Sequence, residues 1–339
     1  FLTPLILKIP CTFLTMEKLA TALANSQAAA TLNSYGDAFL STVYPTMDAK
    51  QGVNYGLPLM QFHEAILIVV VYCIVICLGY YFMRGRQENS ILRPFQYIYN
   101  ALQVAACGYL VVETLRVMLD LGYKPICNTF ESNAEDKRMP HLLYLFYLTK
   151  AFDFFDTVFI VFHKKDKQLS FLHVYHHCTI FMTYWVNANV FYSGDIYYTI
   201  IANGAVHFVM YGYYLASMFK SVDKNGKGTG LVFMLTQAVR PWITSMQLLQ
   251  FVTMMAQAIY ILYNDCQSPL IWVKYYLGYI FSLFLLFMNF FIQNYLKKKG
   301  KKGGTDGKKG EAKAAPAKST HRMSTRSKRG AANEKDKSQ

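Results

Sequence analysis

The stretch "AILIVVVYCIVICLGYYFM", Ala65–Met83, runs for nineteen residues without a charged side chain. A helix of about 20 apolar residues crosses a hydrocarbon core of roughly 30 Å, whereas apolar runs of soluble helices are shorter. Composition agrees, since 53% of the 339 residues are hydrophobic, 16% aromatic and only 16% charged, against roughly a quarter charged in soluble domains. The chain therefore reads as an integral membrane protein.

Working outward from that run gives seven candidate spans: Glu64 to Met83, Phe95 to Leu119, His141 to Phe162, Phe171 to Phe191, Ile196 to Phe219, Leu231 to Tyr263, and Leu270 to Tyr295. The sixth is long, so tilt or a kink at Pro241 is expected. Three short loops, Arg84 to Arg93, His163 to Gln168 and Lys220 to Gly228, carry excess Lys and Arg. By the positive-inside rule they face the cytoplasm, which puts the N-terminus outside and the C-terminus inside. The segment 297–339 holds 15 Lys and Arg against 4 Asp and Glu, eleven of the fourteen net positive charges, so the body is nearly neutral. Rich in Lys, Gly and Ala, this tail is expected to be disordered and to touch anionic lipid. The organisation is a lumenal segment 1–62, a seven-span domain 63–296, and the tail 297–339. Residues 1–15 contain no Met, so Met16 is the first candidate initiator. That stretch lacks the basic start of a signal peptide and carries no assignment.

Four cysteines, Cys73, Cys77, Cys107 and Cys178, fall inside spans, where a thiol serves as a small hydrophobe. Cys127 and Cys266 fall in loops on the non-cytoplasmic side, and a disulfide between them is expected if that side is an oxidising lumen.

Polar residues inside spans point to chemistry. His173, His176 and His177 stand at i, i+3 and i+4 in "SFLHVYHHCTIFMTYW" and share one face of a helix turn. "KAFDFFDT" puts Lys150, Asp153 and Thr157 on one stripe, with Asp156 a turn beyond Asp153. "NGAVHFVMYGYY" repeats Asn203, His207, Tyr211 and Tyr214 at helical spacing, and "RPWITSMQLLQF" aligns Arg240, Thr244, Gln247 and Phe251, with Gln250 adjoining. Four consecutive spans with polar stripes imply a shared interior cavity. Hydrogen bonding between helices is the plain alternative for Thr244 or Gln247 alone. For the histidines three readings compete. A metal site suits the H-x-x-H-H spacing, although membrane di-iron oxidases use several such boxes and this chain has one. A seven-span receptor or transporter fits the span count but not the clustered histidines and aspartates. Acid, base or nucleophilic catalysis by imidazole fits both.

These motifs, "KAFDFFDT", "HVYHH", "NGAVHFVMYGYY" and "TSMQLLQF", resemble in order and spacing those of the fatty acid elongase family, over roughly Met60 to Tyr295. The chain departs from that family's usual pattern at Asp153, where Glu is usual, and at Gly204, where Ser is usual. The resemblance implies an all-α, seven-helix membrane enzyme with an enclosed substrate tunnel, condensing a long-chain acyl-CoA with malonyl-CoA to give 3-oxoacyl-CoA, CoA and carbon dioxide. It implies no cofactor and no metal. His176 and His207 are the implied chemical pair, one carrying the acyl group and the other acting as base or positioner. His173 and His177 would orient them, with Asp153, Asp156 and Lys150 as charged support, and Asn203, Tyr211, Tyr214, Thr244, Gln247 and Gln250 would meet substrate. Lys164, Lys165 and Lys167 would contact CoA phosphates, or serve only as topology determinants. Gln168 and Tyr175 resemble the branch acting on polyunsaturated chains. The implied setting is the endoplasmic reticulum membrane, with Lys335 and Lys337 resembling a dilysine retrieval signal. Its implied partners are the lipid bilayer, the ketoacyl-CoA reductase, dehydratase and enoyl reductase of the cycle, and a second copy of the chain, with no nucleic acid.

Overall fold

The structure is a computed structural model and describes residues 26–45, 50, 52–88, 90–131, 135–219, 221–222 and 228–296. The opening stretch 1–15, the tail 297–339 with Lys335 and Lys337, and most of the third basic loop lie outside the described residues.

Among the described residues the chain is helical, apart from a short antiparallel pair, Ser221–Val222 (β1) with Gly228–Thr229 (β2). The helices are α1 (Gln27–Val43), α2 (Phe62–Met83), α3 (Arg93–Asp120), α4 (Arg138–Phe152), α5 (Phe154–Phe162), α6 (Phe171–Val190), α7 (Ile196–Ser217), α8 (Gly230–Tyr263) and α9 (Leu270–Phe291). Four of them, α2, α3, α8 and α9 with the turn that follows it, are long and apolar enough to cross a membrane, which makes this a multi-pass membrane protein. α6 and α7 run for 20 and 22 residues but carry the histidines and polar stripes that dilute their apolarity.

The third expected span is two helices. α4 ends at Phe152 and α5 begins at Phe154, with Asp153 between them. The amide of Asp156 donates to the Asp153 carbonyl at 3.2 Å, a tightened turn within otherwise helical backbone. α8, by contrast, continues through Pro241. α1 was not expected from the sequence. It is joined to α2 through Asn33, whose side-chain oxygen accepts from the His63 amide at 3.0 Å.

α2 starts at a capping box, in which the Glu64 carboxylate accepts from the Gln61 amide at 3.3 Å. It buries only Ala65, Tyr72 and Met83. Leu67, Ile74 and Leu78 stay half exposed, an apolar outer face suited to lipid. α3 packs most extensively on α7. Gly204 permits this approach, because a Cβ there would meet Val111 Cγ2 at 2.8 Å. A Ser at this position would require the Val111 side chain to shift.

The loops that follow α3, α6 and α8 meet at one end of the bundle. Cys127 and Cys266 are joined there in a disulfide, Cα to Cα 5.3 Å, across 139 residues of chain. Buried Asp195 anchors the same place. Its carboxylate accepts from the amides of Cys127 and Asn128, each at 3.0 Å. Gly194 beside it has φ +66°, and a Cβ would press on the carbonyls of Asn128 and Thr129 at 3.1 Å. The segment before α2 is stitched to this end too. Asn54 donates to the carbonyls of Pro140 and Ala188 at 3.2 and 3.0 Å, and the Trp185 indole donates to the Met60 carbonyl at 2.9 Å.

Closing so long a loop constrains the unfolded chain, so Cys127→Ser is expected to lower the midpoint of thermal unfolding in detergent by several degrees. Non-reducing peptide mapping of the unaltered protein checks the same bond by recovering Cys127 and Cys266 in one crosslinked fragment. An unchanged midpoint would show that the crosslink adds no stability.

Candidate active site

The break between α4 and α5 turns Asp153 into the bundle, one turn from Lys150. Both are buried, at 2% and 1% exposure. The Lys150 ammonium lies 3.2 Å from Asp153 Oδ2 and donates to Asn203 Oδ1 at 3.1 Å. It also sits 4.5 Å from the centre of the Phe146 ring, a cation–π contact. Asp153 Oδ1 accepts from Gln103 Nε2 at 2.6 Å and from the Tyr211 hydroxyl at 3.0 Å. The same hydroxyl lies 2.7 Å from Asp156 Oδ2 and 3.3 Å from the Tyr99 hydroxyl. With one proton, Tyr211 can donate to only one carboxylate at a time. Charges removed from water cost several kcal/mol each unless paired and hydrogen-bonded; here α3, α4 and α7 supply the partners.

Ser170 starts α6 by accepting from the His173 amide at 3.3 Å, and so fixes the register of the histidine turn. The rings of His173 and His177 are 4.3 Å apart between centroids, and those of His176 and His177 5.6 Å. His207 enters from α7 with Nδ1 3.8 Å from Asp153 Oδ2, beyond hydrogen-bond length. It lies within electrostatic reach of His176, Lys150 and Asp153. The Nδ1 atoms of His176, His177 and His207 are buried with no hydrogen-bond partner among the described residues. Buried polar atoms are rarely left so, and three neighbouring bare imidazole nitrogens suit a site that binds or reacts with a substrate. Among the described residues no group of three or more His, Cys, Asp or Glu side chains is arranged to hold a metal ion.

A cavity of about 10 Å³ adjoins this cluster, lined among others by His176, Thr183, Asn203, Gln250, Tyr276 and Tyr279. That is room for about one water. A second, of about 20 Å³, is bordered by Asn187, Asp195, Thr199, Gln257, Trp272 and again Tyr276. Asn203 thus joins the ion pair to the cavity, holding Lys150 while facing the same space as His176.

Of the residues read from the motifs, the structure brings together Lys150, Asp153, Asp156, the histidines, Asn203, Tyr211 and Gln250. Tyr214 packs edge-on against Tyr211 at 5.8 Å and lies within electrostatic reach of Asp156. Gln247 points to Met210 Sδ, 3.9 Å away, and Thr244 to the Tyr295 hydroxyl at 3.4 Å; neither lines the cavity. In the basic loop after α5, Lys164 donates to the Met83 carbonyl at 2.8 Å, capping α2. Burial pushes the neighbouring Lys165 ammonium down from its ordinary pKa. Sequence reasoning missed Gln103, Tyr99 and Tyr72. Tyr99, Asn100 and Gln103 form a short polar patch in the second span, a signal that was available.

Breaking a buried ion pair costs about 3–5 kcal/mol because the surviving charge is stranded. Lys150→Met should therefore lower the thermal midpoint strongly, and Lys150→Met combined with Asp153→Leu should recover much of the loss. A single variant as stable as the unaltered protein would show that the pair carries no such strain.

Residues 57–303 match the family model described as ELO: GNS1/SUR4 family. Very long chain fatty acid elongase 2 of Mus musculus is 30% identical over 267 residues, 78% of this chain and 87% of that protein. Very long chain fatty acid elongase 4 of Homo sapiens is 31% identical over 73% of this chain and 76% of its own length. Very long chain fatty acid elongase 5 of Tachysurus fulvidraco is 28% identical, with 79% and 85% covered.

Proposed function

The chain belongs to the GNS1/SUR4 family, the ELO family, and on that premise we propose that it is the condensing enzyme of fatty acid elongation, a 3-oxoacyl-CoA synthase. The observation that carries the reading is the set of unpartnered imidazole nitrogens of His176, His177 and His207 beside the Lys150–Asp153 pair.

The reaction is a two-step acyl transfer. A nitrogen of His176 or His207 attacks the thioester carbon of the acyl-CoA, the carbon–sulfur bond breaks, and CoA leaves as the thiol with the proton released by the imidazole. Malonyl-CoA then loses carbon dioxide, and the electron pair of the broken carbon–carbon bond forms an enolate. The enolate carbon attacks the acyl-imidazole and expels the ring as imidazolate, which takes up one proton from solvent, giving 3-oxoacyl-CoA and restoring the neutral histidine. Acyl-imidazole is reactive enough to serve as donor. A dry site with fixed dipoles favours both the oxyanion and the enolate, and Lys150 and Asn203 are the nearby fixed donors. No cofactor enters this balance.

The wider reading has seven membrane crossings, with α4 and α5 together forming one, in the endoplasmic reticulum membrane with a lumenal N-terminus and a cytosolic C-terminus. The domain covers 63–296, ahead of the basic tail. The acyl chain extends from His176 past Tyr276 towards Asn187 and Gln257, between α6, α7, α8 and α9. Two cavities sharing Tyr276 support that path, and side chains must part to admit a chain. Gln168 and Tyr175 favour polyunsaturated substrates. Acyl-CoA and malonyl-CoA are the substrates, and the reductases and dehydratase of the cycle are the partners.

Purified protein given labelled malonyl-CoA and a panel of acyl-CoAs should form 3-oxoacyl-CoA, with polyunsaturated chains preferred. His176→Ala and His207→Ala should each lower the rate by at least about 100-fold while the protein still inserts, the scale of a lost acid–base or nucleophilic group. Acyl-CoA alone should leave an acyl adduct on one of the two residues, detected by peptide mass. Tyr276→Ala should join the two cavities and move the preference towards longer chains. Condensation at the normal rate in either histidine variant overturns the assignment.

A further inference from the structure

The groups of the site come from α3 to α9, but one side chain of α2 also reaches them. Tyr72 is the one hydroxyl among the three residues α2 buries. Its ring stacks on Phe154 with centroids 4.2 Å apart, which sets the hydroxyl 2.9 Å from Thr157 Oγ1. Thr157 is fully buried and lies 2.8 Å from His173 Nε2. Phenol, alcohol and imidazole are thus strung in a line from the lipid-facing span to the histidine turn.

The direction of this line follows from counting protons. Each hydroxyl has one to give. If Tyr72 donates to Thr157 and Thr157 to His173, both protons are used and the line ends on a bare Nε2. If it runs the other way, the phenol proton is left in a buried place where it finds no acceptor among the described residues. Buried donors are seldom left unserved.

We infer that Tyr72 and Thr157 act as a relay that holds His173 in one neutral tautomer, with its proton on Nδ1, and that Tyr72 is a positioning residue for the histidine cluster. A second proton on Nε2 would break the bond from Thr157, so the relay keeps His173 uncharged. The ring cannot flip without exchanging that bonded nitrogen for a carbon. Because His173 lies 4.3 Å from His177 and His177 lies 5.6 Å from His176, a fixed first ring limits the freedom of the other two. Metal-bound histidines are held in the same manner by outer hydrogen bonds.

The rate consequence rests on the condensation reading above; the tautomer does not. The test therefore uses full-length protein labelled with 15N in its histidine rings, with the His173 signals identified by their loss in His173→Gln. The expected spectrum is a neutral His173 protonated on Nδ1. Tyr72→Phe and Thr157→Val keep ring and shape and should each release His173 into a mixture of tautomers, whereas Thr157→Ser should preserve it. Both disruptive variants should lower kcat about tenfold, the scale of a lost orienting bond, with KM for acyl-CoA unchanged. The double variant should be no slower than Thr157→Val alone. A proton on Nε2 in the unaltered protein overturns the relay, as does a Tyr72→Phe variant with unchanged tautomer and kcat. A correct tautomer in a protein without condensation activity would instead overturn only the functional reading.

Discussion

An ammonium and a carboxylate removed from water must find each other and then be hydrogen-bonded on every remaining side, or the fold cannot hold them. Lys150 and Asp153 meet that demand with help from two further helices, α3 and α7. Asn203 holds the ammonium on one side, and Gln103 and Tyr211 hold the carboxylate on the other. Helical spacing already brings the two together: Asp153 keeps helical dihedrals, φ −59° and ψ −19°, and its amide still donates to the Thr149 carbonyl at 2.9 Å through the tightened turn. Packing of α3 on α7 is then more than apolar burial, because it brings the Gln103 amide to 2.6 Å from the carboxylate.

The outer surface obeys a different constraint. α2 shows lipid an almost wholly apolar face and keeps a single hydroxyl for the interior. The ends are managed separately, since exposed backbone cannot be tolerated at membrane depth. The disulfide, the Asp195 carboxylate and the carbonyls that receive Asn54 and Trp185 close one end by direct bonds. The space within is small as it stands, so entry of a long ligand requires aromatic side chains such as Tyr276 and Tyr279 to turn.

Four of the expected spans were legible because uncharged apolar runs as long as Ala65–Met83 outlast the buried stripe of an ordinary soluble helix. The histidine turn and the Lys150–Asp153 stripe were legible because ionisable residues in such runs are costly, and spacing alone puts them on one face. Gln103 and Tyr72 were harder. Each is one polar residue in a span that looks mostly structural, and its importance comes from a partner about 50 or 85 residues away, which periodicity cannot reveal. The break at Asp153 was hidden because no Gly or Pro marks it in the sequence. Gln247 and Thr244 show the converse, because a shared stripe is wide enough that two of its members turn to Met210 and Tyr295 instead of the cavity.

Gly204 illustrates how far an absent atom can reach. It lies on the back of α7, adjoining Asn203 and one turn from His207, and the space it leaves is filled by Val111 of α3. Any side chain introduced there meets the tip of Val111 first, so that Val111 side chain must shift to admit it. A graft of this motif is therefore best made with a smaller residue at 111, the pair exchanged as one unit.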